Sequence, residues 1–288
     1  MTRATGRAGT ASRFFRMAVR RVGVGLLLLL GLGVAAPSAA RELAFDHFIH
    51  TRLDARDGLS AQANAIIQTL DGYMWFGTPD GLYRFDGRSF ERVPLARSRG
   101  FSTASVIEAI ISRRGELWLS LGQNSGVAVL RNGVIHQTGM PQPPPQVTHL
   151  AEGADGAIWA ASSGREKRLY RFAGGRWAQM DLRLAMPSGG VADLAVDRHG
   201  TLWASLSDAG KGKLAYLRAG SDRFETAGDR IGLGRLTLDG EGGLWLSDQF
   251  GTRKLREPSG RPPRQPISYP PVPGILFPKI RFDRNGNI

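Results

Sequence analysis

Between Asn64 and Val93, short apolar runs alternate with pairs of turn-forming residues. Ala65-Ile66-Ile67-Gln68-Thr69 predicts a first strand and Tyr73-Met74-Trp75-Phe76-Gly77 a second, with Asp71-Gly72 between them. Leu82-Tyr83-Arg84-Phe85 and Ser89-Phe90-Glu91-Arg92-Val93 predict a third and a fourth, after turns at Pro79-Asp80-Gly81 and Asp86-Gly87. Runs this short, bounded by Asp-Gly, read as hairpin strands, because tight turns need positive φ and glycine adopts it at little cost. The segment therefore predicts four consecutive antiparallel strands.

The unit recurs. Trp75, Trp118, Trp159, Trp203 and Trp245 stand 43, 41, 44 and 42 residues apart, each three positions after a glycine: Gly72, Gly115, Gly156, Gly200 and Gly242. A sixth copy opens at Asn285-Gly286-Asn287-Ile288, one residue short of the next expected tryptophan. A period in the low forties built of short strands predicts an all-β fold, a β-propeller of four-stranded blades, with about five blades and part of a sixth over residues 41–288. The recurring tryptophans are expected to fill gaps between blades. Trp177, outside the series, aligns with Phe90 and Phe224 and is read as packing. The proline-rich stretches Met140–Pro145 and Pro258–Pro273 read as surface connections, since proline cannot donate to a sheet ladder.

Composition narrows the chemistry. Among 288 residues there are 38 glycines, 16 prolines and no cysteine, which excludes disulfides, thiolate catalysis and sulfur-bound zinc. The net charge of +13 is uneven. Arg3, Arg7, Arg13, Arg16, Arg20 and Arg21 lie in the first forty residues, which carry no acidic group. The rest of the chain shows no basic block with interleaved aromatics, so nucleic acid is not an expected partner. Those arginines precede the apolar run Val22 to Ala36 and the small residues Ser38 and Ala40. Residues 1–40 thus read as an export signal cleaved before Arg41, the apolar run being shorter than the roughly twenty residues that span a bilayer.

Aligning the units on tryptophan exposes a column ten residues earlier: Ala65, Glu108, His149, Asp193 and Arg235. It falls in the first strand, which in propellers lines the central channel. Glu108, His149, Asp193 and Arg235 are therefore the candidate ligand-binding residues, suited to a polar ligand such as an oligosaccharide; the bland alternative is a wet strand edge that tolerates any polar residue. Were Glu108, His149 and Asp193 to meet, they would suit acid-base chemistry. No His-Glu-x-x-His spacing and no Gly-x-Ser-x-Gly elbow is present, so neither a metal, a cofactor nor a catalytic residue is expected. His199 sits at the turn position of Asp71, Asp155 and Glu241 and reads as an exposed turn residue.

The stretch Ile66 to Gly87, with Trp75-Phe76-Gly77-Thr78-Pro79-Asp80-Gly81-Leu82 at its centre and Asp57-Gly58-Leu59-Ser60 leading in, resembles the two-component regulator propeller repeat. The later units keep Gly-x-x-Trp and lose parts of the rest, as in Trp118-Leu119-Ser120. The resemblance implies the periplasmic input region of a bacterial sensor, seven-bladed when complete. It implies further blades beyond Ile288, then a membrane helix and a histidine kinase or diguanylate cyclase. Its implied partners are a small-molecule or oligosaccharide ligand, those downstream domains and a second subunit. Ala44 to Ile49 is the expected latching strand. Two alternatives stay open, a secreted binding scaffold and a propeller lyase, since lyases of cyclic peptide antibiotics share a similar blade period.

Overall fold

The computed structural model describes residues 55–95, 105–140, 146–180, 187–227 and 231–255, except 60–61, 123–124 and 163–167, and adds 268–269, 280 and 282. All of these belong to the unit Leu53–Ile288. The export segment, the latch strand at 44–49 and the sixth repeat, apart from Phe282 just before it, lie outside the described residues.

Among the described residues, five four-stranded antiparallel sheets make a β-propeller, each strand pairing with its sequence neighbour. Blade one is β1 (Ala65–Gln68), β2 (Met74–Thr78), β3 (Gly81–Phe85) and β4 (Phe90–Val93). Blade two is β5 (Val106–Ile111), β6 (Leu117–Leu121), β7 (Val127–Arg131) and β8 (Val134–Gln137). Blade three is β9 (Val147–Glu152), β10 (Ile158–Ser162), β11 (Leu169–Ala173) and β12 (Arg176–Gln179). Blade four is β13 (Gly190–Val196), β14 (Leu202–Asp208), β15 (Lys211–Leu217) and β16 (Glu225–Thr226). Blade five is β17 (Arg235–Leu238), β18 (Leu244–Asp248), β19 (Gly251–Lys254) and β20 (Ser268–Tyr269). The first strands are inner neighbours in succession, β1 beside β5, then β9, β13 and β17. One reading needs correction: β20 falls inside the stretch 258–273 that the prolines mark as a connection. A two-residue outermost strand needs few ladder donors, so prolines nearby do not forbid it.

The turn between the first two strands is the same in all five blades. In blade one the Gly72 N–H donates to the Thr69 carbonyl at 3.0 Å and the Thr69 N–H to the Tyr73 carbonyl at 3.0 Å. Gly72 sits at φ 91°, so a side chain there would be strained, which accounts for a glycine three residues before each tryptophan. The turn also anchors the indole. Trp75 Nε1–H donates to Thr69 Oγ1 at 3.0 Å, Trp203 to Asp197 Oδ2 at 2.8 Å and Trp245 to Asp239 Oδ2 at 2.8 Å. Trp118 uses Glu116 Oε2 instead, at 3.2 Å.

Each tryptophan packs forward. Trp75 shares a buried cluster with Val106 and Leu119 of blade two, and Trp118 with Val147 and Ile158 of blade three. Trp159, half-buried, joins Leu194 and Leu206 of blade four, and Trp203 joins Leu236 and Leu246 of blade five. Trp245 meets the ring of Phe282 at 5.3 Å. The gap-filling role read from the spacing holds, and Trp177 is packing too, its ring 5.2 Å from Phe172 and its N–H on Thr138 Oγ1 at 2.9 Å.

A buried Glu-His-Asp cluster between the blades

Three inner strands carry a β-bulge at one place. On β5 the pairing jumps from Val106 with Leu121 to Glu108 with Ser120. On β9 it jumps from Val147 with Ser162 to His149 with Ala161, and on β13 from Val191 with Leu206 to Asp193 with Ser205. A bulge inserts one residue and re-aims the side chain that follows. Ile107, Thr148 and Ala192 are the inserted residues, and Glu108, His149 and Asp193 are the re-aimed ones. Their cross-strand partners Ser120, Ala161 and Ser205 are small and buried, which leaves room for a larger side chain on that face.

The column consequently lies inside the packed inner layer. Glu108, His149 and Asp193 are 5%, 8% and 3% exposed, so the wet-edge alternative fails for these three. Glu108 Oε2 accepts the Leu150 N–H of blade three at 3.1 Å, and Asp193 Oδ2 accepts the Leu236 N–H of blade five at 3.0 Å. Leu150 and Leu236 each follow the next column residue, so two of the acids make the same bond to the next blade. Asp193 Oδ1 also accepts the N–H of Leu194 at 2.9 Å. Ser120 Oγ–H donates across to the Val147 carbonyl at 2.6 Å and Ser205 to the Gly234 carbonyl at 2.8 Å.

His149 breaks this series. Its Nδ1 lies 3.4 Å from Glu108 Oε2 and 3.6 Å from Asp193 Oδ1, and it is buried without a hydrogen-bond partner. Three residues more than forty positions apart are thus brought to one point. Arg235 is half-buried on β17, with its Nη1 donating at 2.7 Å to the carbonyl of Ala192, the residue before Asp193. Residue spacing located the column, but the bulges that aim it inward and the small residues facing it carried no recognised signal. Small residues two positions after each tryptophan, Gly77, Ser120, Ala161, Ser205 and Ser247, are the pattern that would have flagged it.

A concavity of about 370 Å³ lies between blades two and three at the turn end. Trp118 and Ile158 floor it, and Glu116, Arg131, Glu152 and Asp155 supply charge. Arg131 Nε pairs with Glu116 Oε1 at 2.6 Å, and Arg171 with Asp155. Asp155 is held below the usual carboxylate range: burial pushes it up, but the Ala157 N–H and the Arg171 guanidinium outweigh that.

No family model matches the sequence, and no curated protein matches it. Solved structures do. The extracellular domain of a hybrid two-component system from B. thetaiotaomicron superposes with a TM-score of 0.61 at 16% identity, covering 83% of this chain and 31% of that one. A second from the same organism gives 0.58 at 20% identity, over 73% and 30%. A catalytically inactive virginiamycin B lyase from Staphylococcus aureus, solved with quinupristin, gives 0.59 at 14%, over 77% and 73%. The propeller is common to all of them. The chain spans about three tenths of the length of those extracellular-domain chains, and identities this low speak to architecture alone.

Proposed function

We propose that this propeller is the extracytoplasmic input domain of a bacterial signal-transduction receptor, exported by the segment at residues 1–40. The observation that carries this reading is the first repeat. Its Trp75-Phe76-Gly77-Thr78-x-x-Gly81-Leu82 pattern resembles sensor propeller repeats and is built into blade one. Gly77 meets Val106 of the next blade, and Thr78 Oγ1 accepts the Gly81 N–H at 3.0 Å. The likeness to extracellular domains of hybrid two-component systems over most of this chain supports it. A polar ligand such as an oligosaccharide is the signal, with the half-buried Arg235 as the candidate contact, since Glu108, His149 and Asp193 are buried. Binding shifts signalling by favouring one of two packing states against a following domain or a second subunit, through a difference in affinity between them. A thermal-shift screen of the purified propeller against glycans tests this. A saturable rise in Tm with no consumption of the glycan is expected; no shift across the panel counts against it.

A lyase is the second reading, favoured by the meeting of Glu108, His149 and Asp193 and by the likeness to virginiamycin B lyase. It requires turnover of a cyclic peptide antibiotic that His149→Ala abolishes while circular dichroism stays unchanged.

A further inference from the structure

We infer that Glu108, His149 and Asp193 form a zinc-type divalent cation site that ties blades two, three and four together. One oxygen of each carboxylate and a nitrogen of the imidazole lie within 4.8 Å of one another. The measured edges, 3.4 Å from His149 Nδ1 to Glu108 Oε2 and 3.6 Å to Asp193 Oδ1, are long for hydrogen bonds. They suit ligands of a shared ion. Zinc bound at about 2.0–2.1 Å in a tetrahedron sets its ligands about 3.3–3.4 Å apart, whereas an octahedral ion at the same distance sets adjacent ligands about 2.9 Å apart.

The second observation is independent of the acids. His149 is nine-tenths buried and its Nδ1, the atom facing both carboxylates, has no hydrogen-bond partner. A buried polar atom left so costs about 1–3 kcal/mol, and a metal bond satisfies it. The acids are meanwhile oriented by backbone donors, Leu150 N–H on Glu108 and Leu194 N–H on Asp193, which is how outer partners fix metal ligands. One imidazole and two carboxylates make a donor set that zinc accepts, with a water at the fourth vertex. The inference holds whether the propeller senses a ligand or cleaves one.

The test uses the full chain, exported and purified without a histidine tag, stripped with chelator and titrated with Zn2+ calorimetrically. The wild type is expected to bind one equivalent more than His149→Ala. Glu108→Gln and Asp193→Asn keep an oxygen for the backbone N–H but lose the anionic ligand. They should bind at least about 100-fold more weakly, since loss of an outer partner alone costs about 10–100-fold. Co2+ at the site should give the intense visible absorption of a four-coordinate ion. Equal uptake by wild type and His149→Ala, or a weak six-coordinate Co2+ spectrum, overturns the proposal. So does a wild type that takes up no zinc.

Discussion

Trp203 donates its indole N–H to the carboxylate of Asp197 at 2.8 Å, and both residues are almost wholly buried. The other oxygen of Asp197 accepts the N–H groups of His199 and Thr201, at 2.9 and 3.0 Å. One carboxylate therefore closes the turn and positions the ring that packs against blade five. Asp197→Ala leaves three donors unanswered, two of them in buried residues, and should cost roughly 3 kcal/mol, read as a lower midpoint in urea unfolding. A loss under about 1 kcal/mol would show that the ring holds the turn and not the reverse.

Gly77 tests the close approach of blades one and two. A Cβ there would lie 2.6 Å from Val106 Cγ1 and 3.1 Å from its Cβ, on an inner strand with little freedom to move. Gly77→Ala is expected to destabilise by about 1–3 kcal/mol through overpacking. Adding Val106→Ala should recover part of that loss, and a double-mutant cycle measures the coupling.

Arg253 and Asp248 form a two-pronged pair, with Nη1 on Oδ1 at 2.9 Å and Nη2 on Oδ2 at 3.0 Å. The Asp248 side chain is fully buried and also accepts the Gly232 and Phe250 N–H groups. Arg253→Ala removes the buried carboxylate's guanidinium and should cost about 3–5 kcal/mol. Replacing both residues with apolar ones of similar size should cost less than the single change, as Tm values of the two variants would reveal.

Asp239 supplies a pH signature. Burial pushes its carboxyl up, but Lys254, the Trp245 indole and the Gly243 N–H outweigh this and hold it below the ordinary value of 3.8. The depressed group stabilises the fold fully above its unfolded pKa and loses that contribution as pH falls through the folded one. Wild type should therefore exceed Asp239→Asn in Tm at pH 7, and the gap should narrow below about pH 4. A gap independent of pH would place the effect in the hydrogen bonds and not in the charge.

How far the sequence could be read follows from what repeats. The glycine at positive φ and the tryptophan recur because every blade needs the same turn and the same wedge, so blade count and strand order were legible. The strands of blade one matched within a residue at most ends. The column of Glu108, His149 and Asp193 was also legible by alignment, but its surroundings were not. Single-residue bulges at Ile107, Thr148 and Ala192 leave no compositional mark, and they turn a column expected at a wet channel into a buried one. Arg235 shows the other limit, since a long side chain can leave its register and reach the Ala192 carbonyl of the preceding blade. β20 was missed because two residues flanked by prolines carry no periodicity.

Among the described residues, most side-chain-to-backbone bonds between blades run one way, the exceptions being Arg235 on the Ala192 carbonyl and Glu152 on the Arg113 N–H. Asn64 holds the Val106 carbonyl, Glu108 the Leu150 N–H, Ser120 the Val147 carbonyl, and Asp193 the Leu236 N–H. In each, the side chain belongs to the earlier blade and the backbone to the later one. A chain emerging amino terminus first therefore completes the docking groups of one blade before the strand they receive is made. Where blades dock in the order of their synthesis, each finished edge serves as the template for the next, as in courses of brick, and a substitution in an early blade is expected to disturb the placement of later ones more than the converse.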